Sequence, residues 1–194
     1  MTTPLALARI GLGHRTELRL GTDGFATVTS AGVRTSGSAD VEVGLKVRLL
    51  DQSRAGIDMA LIPMASLPTG SQAFSSNAID PTVKVTFARS VPAGFDLTGN
   101  VNVAGISDGH GRFVQNAVSL LVGHDLIWGL GGFLESYRFS ELDRGGTPAT
   151  TIDWGVSHSV GLGMQADIEA GRGVSAAAPD WFVGFGFAIK RRRP

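Results

Sequence analysis

The sequence contains no cysteine, which excludes disulfide frameworks, thiolate metal sites and cysteine nucleophiles. It also has no apolar run near the roughly 18 to 20 residues that a transmembrane helix needs, so a helical membrane protein is excluded. Neither sign of charge is in excess, because 17 basic residues are balanced by 17 acidic ones. Without a net positive field, nucleic acid is not expected as a partner.

Two further features are scarce. Met1 to Ile10 lack a basic region and a small-residue cleavage site, so we expect no signal peptide in this chain. Tyrosine occurs only 1 time against 10 phenylalanines, which is few aromatic residues for the interfacial girdles of a membrane β-barrel. Glycine, in contrast, is abundant, with 27 residues among 194. Its spread along the chain indicates many turns and few long helices.

The clearest positive signal is an alternation of apolar and polar residues. Between Val41 and Leu49 every odd position is apolar, while most even positions are charged. Phe95 to Val103 shows the same pattern with polar partners. A period of two is typical of a β-strand with two different faces. The sequence predicts eleven such strands, at residues 4–12, 14–21, 39–50, 57–67, 81–90, 94–105, 112–123, 126–139, 149–160, 163–171 and 179–190.

The connections between these strands alternate in length. The short ones lie at 13–14, 51–56, 91–93, 123–124 and 161–162, and the longer ones at 22–38, 68–80, 105–111, 140–148 and 172–178. Outer-membrane barrels are organised in this way, with short periplasmic turns at one rim and longer loops at the other. Most of the strands are also near the roughly 9 to 11 residues that cross a bilayer when tilted. A β-propeller is disfavoured, because each of its blades needs four short strands.

The predicted fold is all-β: an antiparallel up-and-down transmembrane β-barrel of about 11 to 12 strands over residues 1–190, followed by a basic C-terminal tail at 191–194. Alternation alone does not separate a membrane barrel from a soluble one, since the two exchange their faces. A membrane barrel is favoured by the length of the strands, by the alternation of short and long loops, and by the scarcity of charge at the apolar positions. The alternatives are a soluble lipocalin-like ligand-binding barrel with the apolar face inside, and an engineered or structural barrel with no transport activity.

Eleven strands raise a question of closure. The first and last of an odd number of antiparallel strands run in the same direction, and single-chain bacterial barrels have even strand counts. The open solutions are a twelfth strand before Pro4, which we expect in a full-length form, a parallel pair of first and last strands, an extra strand from residues 22–38, or a second chain. Phe25 to Thr29 alternates well enough to supply that extra strand.

The charged alternate positions are the candidate functional residues, because in a membrane barrel they would face the lumen. Basic residues come mostly from the first half of the chain and acidic residues from the last strands. Two walls of opposite charge and a salt-bridge network that plugs the barrel are both compatible with this distribution. The candidate pore-lining residues are Glu17, Arg19, Glu42, Lys46, Arg48, Lys84, Arg89, Asp153, Asp167 and Glu169.

No pattern of catalytic or metal-binding residues is found. The four histidines have no partner at a spacing suited to a metal. Asp153, Ser157, His158 and Ser159 include the residue types of a catalytic triad, but His158 points away from the other three in an ideal strand. No helix follows the glycine-rich segments to complete a phosphate site. We therefore expect no enzyme, no cofactor and no bound metal.

An ordered series of segments resembles a known family. The segments are Arg9 to Leu12 with Thr16 to Leu20, Asp40 to Lys46, Leu67 to Ser71 with Phe74 to Ser76, Asp80 and Pro81 before Lys84, Gly99 to Ala104, and Ala178 to Phe182. Over most of its length the chain is similar to the outer-membrane β-barrels named after a meta-pathway of phenol degradation, which are also described as transporter-like. The resemblance implies a protein of the bacterial outer membrane that contacts lipid and passes small hydrophobic or aromatic compounds, and it brings no catalytic residues.

Overall fold

The computed structural model describes residues 2–3, 5–30 and 32–191. Its strands are β1 (Thr2–Thr3), β2 (Ala6–Gly11), β3 (Thr16–Thr22), β4 (Phe25–Ser30), β5 (Val33–Ser38), β6 (Val41–Leu50), β7 (Asp58–Leu67), β8 (Asp80–Val91), β9 (Phe95–Ser107), β10 (Arg112–Asp125), β11 (Leu130–Phe139), β12 (Ala149–Gly161), β13 (Met164–Gly173) and β14 (Trp181–Ile189). One helical turn, α1 (Gln52–Ala55), and 3₁₀ turns at Pro92–Gly94 and Ile127–Gly129 complete the elements. None of the helices in these residues is long and apolar enough to cross a membrane.

Eleven strands form one antiparallel up-and-down sheet, in the order β14-β13-β12-β11-β10-β9-β8-β7-β6-β3-β2. Each strand neighbours the next one in sequence, except that β3 pairs directly with β6. This confirms the all-β antiparallel prediction, and each of the eleven strands predicted from alternation matches one strand of the sheet. The agreement follows from the physical origin of the signal, since a strand must present alternate residues to two different environments.

The strands are divided between two compact units. The first unit comprises Met1–Thr86 and Asn102–Asn116, and the second comprises Phe87–Val101 and Ala117–Pro194. In the first unit, β2, β3, β6 and β7 form a continuous ladder. In the second unit, β11, β12, β13 and β14 do the same. These two ladders carry most of the candidate residues.

Two of the loops predicted from sequence are wrong in length. Residues 22–38 are not one long loop, because β4 and β5 pair as a hairpin that forms a separate three-stranded sheet with β1. Gly32, with a positive φ of 79°, lies at the hairpin turn, where a left-handed backbone favours glycine. The hairpin adds no strand to the eleven-stranded sheet. The connection predicted at 105–111 is also shorter, since β9 continues to Ser107.

The sheet has an apolar face and a polar face, which the second unit illustrates. On β12 the exposed residues Trp154 and Val156 belong to the apolar face. Thr151 and Asp153, which point the other way, are only 2% and 4% exposed. The polar face is therefore the packed one, and the apolar face is the exposed one. Among the residues that the structure describes, few hydrophobic side chains are buried; they are Ala60, Ile62, Ala104, Phe113, Ala117 and Ala149.

On the polar face, glycines make room for side chains of the neighbouring strand. Gly155 is opposite Phe133, and a Cβ at Gly155 would be only 2.6 Å from Cε1 of that ring. Gly171 is opposite Phe182, whose ring lies directly over the glycine. Because glycine has no side chain, a ring on the next strand can lie on its backbone. These glycines are thus packing positions and not only points of flexibility.

Two short turns share one conformation. Ala93 and Gly94 both have positive φ, at 67° and 77°, and Trp128 and Gly129 repeat this at 60° and 72°. Two successive positive φ values are the property of type I′ turns, which fit the twist of antiparallel strands. In each case a histidine of a nearby strand donates from Nδ1 to the glycine carbonyl, His124 to Gly94 at 2.8 Å and His158 to Gly129 at 3.2 Å. These two histidines therefore stabilise the turns by hydrogen bonding.

Candidate functional site

The first unit places opposite charges side by side on its polar face. Glu17 of β3 is opposite Lys46 of β6. Arg19 Nε lies 3.4 Å from Glu17 Oε1, although the contact lacks hydrogen-bond geometry. Since both atoms are buried from solvent, the attraction between the two charges is screened less than at an open surface. The arrangement places opposite charges next to each other within one face.

A cavity of about 280 Å³ lies in the same unit. Arg19, Glu42 and Lys84 line it together with Gly21 and Met64. Glu42 is opposite Gly21 in the β3–β6 ladder, so the glycine leaves space beside the carboxylate. The structure thus brings three of the candidate residues together, two basic and one acidic, around one cavity.

Arg48 and Arg89 lie away from this cavity. Arg48 donates to Asp51 Oδ2 at 3.0 Å, at the start of the turn between β6 and β7. Hydrogen bonds from the Ser53 hydroxyl and amide hold the pKa of Asp51 below its ordinary value of 3.8. Arg89 is exposed near the end of β8, two residues after Phe87 and on the same side of the strand. Both arginines are therefore separate from the cavity of the first unit.

The second unit concentrates carboxylates on its polar face. Glu135 of β11 is directly opposite Asp153 of β12. Glu169 of β13 is opposite Gly155, two residues along β12 from Asp153, and Asp167 is opposite Ser157. Glu135 was not among the residues singled out from sequence. Glu135 lies two residues from Phe133 and from Tyr137, and exposed Leu134 lies on the other face. This spacing is the sequence signal that places Glu135 on the polar face.

Asp153 is the most enclosed of these carboxylates. It is 4% exposed, and its Oδ1 atom has no hydrogen-bond partner. Glu135 and Glu169 are both near enough to interact with its charge. An acceptor that is buried without a donor costs free energy, and like charges facing each other across strands are destabilising. This site therefore calls for a positively charged or proton-donating group.

Aromatic rings border the same carboxylates. Phe182 and Cβ of Asp153 both lie over Gly171. Phe133 is two residues from Glu135 on the same face, and Tyr137 follows Glu135 at the same spacing, opposite Thr151. We name this group of residues, Glu135, Asp153, Glu169, Phe133, Tyr137 and Phe182, the acid–ring site. It combines negative charge with flat hydrocarbon surfaces.

The apolar face of the second unit carries a groove of about 840 Å³. Trp154, Val156, Ile168 and Val183 contribute its apolar side chains. At one end His124 stacks on Phe95, with ring centroids 4.4 Å apart. Most of the lining is apolar, and Glu169 contributes one carboxylate to it.

The geometry does not assemble a catalytic triad from the residues that the sequence offered. Asp153 and Ser157 lie on the polar face of β12, whereas His158 lies on the other face and binds Gly129. Among residues 5–30 and 32–191, no group of three His, Asp or Glu side chains is arranged to hold a metal ion.

Comparison with known proteins gives one family. The model of the family described as "Putative MetA-pathway of phenol degradation" matches residues 5–190 of this chain. This match confirms the resemblance seen in the ordered sequence segments. None of the curated proteins compared with the chain matches it.

Proposed function

Given that the chain belongs to the family described as "Putative MetA-pathway of phenol degradation", we propose that it is an outer-membrane β-barrel that acts as a passive channel. Residues 5–190 of its 194 residues lie within the family match. The all-β antiparallel fold is compatible with this role. In the proposal, membrane lipid covers the apolar face and the polar face lines the pore.

The observation that carries the proposal is which face of the sheet is exposed. Phe185 is 82% exposed and Trp154 is 52% exposed, while Asp153 on the opposite face is almost fully buried. A soluble barrel requires the reverse, with apolar side chains inside and charged ones in water. Extended apolar surface on a protein marks contact with a partner or a membrane. Lipid is a partner that suits a whole sheet face.

The absence of charge along that face supports the same proposal. On β13, Met164, Ala166, Ile168 and Ala170 occupy successive positions of the apolar face before Arg172. A charged residue at the bilayer midplane of a barrel costs about 2 to 4 kcal/mol, and less near the interface. An arginine is therefore tolerated at the strand end and disfavoured in its middle.

The class of solute is inferred from the family description. The family description refers to phenol degradation, so we propose small aromatic compounds as the first solutes. Such molecules need no catalytic group to cross a membrane through a channel. The rings of Phe133, Tyr137 and Phe182 on the polar face would offer them surfaces to stack against.

Conductance in a planar bilayer tests the channel. Full-length protein refolded in detergent is added to one side, and discrete current steps that are absent with detergent alone are the expected result. Swelling of proteoliposomes then compares a phenyl glycoside with a non-aromatic sugar of similar size, and faster entry of the glycoside supports the solute class. A chain that is monomeric and soluble in plain buffer, with no conductance, would refute the membrane proposal.

A further inference from the structure

The polar face of β11 to β14 carries ionisable groups of one sign. The register of the three ladders aligns glycine, aromatic and uncharged polar residues on this face with four carboxylates. The carboxylates are Glu135, Asp153, Asp167 and Glu169, and none of the aligned residues is basic. The arginines of these strands, Arg138 and Arg172, occupy alternate positions on the apolar side.

This charge arrangement is costly for the protein alone. Glu135 and Asp153 are directly opposite each other, at a separation where like charges repel. The ion pairs of Arg19, Arg48 and Arg112 join them to Glu17, Asp51 and Asp80, and none of these residues belongs to the polar face of β11 to β14. The carboxylates of the acid–ring site therefore have no counter-charge from a basic side chain there.

A second and independent observation points to a ligand. Only 4% of the surface of Asp153 is exposed, and its Oδ1 accepts no hydrogen bond. A buried carboxylate oxygen normally accepts from a donor, because leaving it unpaired loses solvation without compensation. Glu135 is directly opposite Asp153, and Glu169 is opposite Gly155, two residues further along the same strand. A positively charged donor beside the unpaired oxygen would therefore also be attracted by these two carboxylates.

The surroundings select the class of donor. A metal ion would require several oxygen ligands at short range, and no such group is present in the described residues. An ammonium group donates up to three hydrogen bonds from one centre, and aromatic faces attract such cations. The ring of Phe182 lies beside Asp153 over Gly171, which places hydrocarbon next to the acceptor.

We propose that the acid–ring site binds an organic ammonium cation. The ammonium group donates to Asp153 and is attracted by Glu135 and Glu169, and the hydrocarbon part contacts Phe182 and Phe133. The inference deepens the proposed function, because a site on a pore-lining face would bind cationic solutes that enter the channel. Binding itself, however, is measured without conductance.

Calorimetric titration with benzylammonium tests the site. The full chain, refolded in detergent micelles, is titrated with benzylammonium and, in parallel, with neutral benzyl alcohol at the same ionic strength. We expect binding of the cation and at least tenfold weaker binding of the alcohol. Asp153→Asn should weaken benzylammonium at least tenfold. Asp180→Asn removes one negative charge from a loop of the same unit and is the matched control, with unchanged affinity expected.

A second variant separates binding from folding. Phe182→Leu keeps every carboxylate and most of the packing, so it should weaken benzylammonium more than methylammonium. The proposal is overturned if Asp153→Asn binds benzylammonium as tightly as the original chain, because Asp153 then has no role. It is also overturned if benzyl alcohol binds equally well, which would make the site apolar. Displacement of benzylammonium by equimolar potassium would overturn it as well, because the site would then bind inorganic cations. Binding without conductance would refute only the channel, and conductance without binding only this site.

Discussion

The replacement Ile168→Arg is the most direct test of which face meets lipid. Ile168 is the fifth of the ten residues of β13, and its neighbours across the ladders are Val156 and Phe185, both exposed on the apolar face. At the bilayer midplane an arginine costs about 2 to 4 kcal/mol. Because 1.4 kcal/mol is a factor of ten, the folded-to-unfolded ratio should fall roughly 30- to 700-fold.

The assay is equilibrium unfolding by urea in lipid vesicles, followed by far-UV circular dichroism. Gln165→Arg places the same charge on the same strand, at an exposed position of the polar face, and should change stability little. Ile168→Leu controls for the loss of the isoleucine itself. If Ile168→Arg is as stable in vesicles as Gln165→Arg, the assignment of the apolar face to lipid is refuted. Improved solubility in plain buffer would favour a soluble barrel instead.

Three further outcomes follow from the same structure. Val47→Arg should impair assembly into vesicles far more than Lys46→Ala, measured by the folded fraction on unheated gels, and equal tolerance would mean that the faces are exchanged. Gly171→Ala should destabilise by about 1 to 3 kcal/mol in urea titration, because the added Cβ overpacks against the ring that covers the glycine. The pKa of Asp51 is below its ordinary value, so the stabilisation of its turn is present above pH 3.8 and is lost as the pH falls through the folded value; a Ser53 amide resonance that is unchanged at pH 2 contradicts this.

Most of the strands could be predicted because their signal is local. The strand Val41–Leu50 differs from its predicted bounds by two residues, since its alternation of Val43, Leu45 and Val47 with charged residues persists to the end. The hairpin of β4 and β5 is predicted only in part, because residues 22–38 are rich in polar residues and glycine and only Phe25 to Thr29 alternates clearly. A short hairpin of that composition lacks an apolar face that would distinguish it from a loop.

The candidate site could be predicted only in part, because its central property depends on register. Asp153 and Glu169 were identified from alternation alone. The burial of Asp153 arises from its position across from Gly171 and next to Phe182, and no local pattern contains that pairing. The spacing of Glu135 from Phe133 and Tyr137 places it on the polar face, but it does not show that Asp153 lies opposite. Which carboxylates oppose each other is a property of neighbouring strands and not of one segment.

The direct pairing of β3 with β6 separates the β4–β5 hairpin from the register of the large sheet. The sheet continues across β3 and β6 although β4 and β5 intervene in sequence. Since each ladder depends only on its immediate partners, the bonds between β3 and β6 do not include the hairpin. The length and sequence of the hairpin can therefore change while the facing residues of β3 and β6 stay aligned.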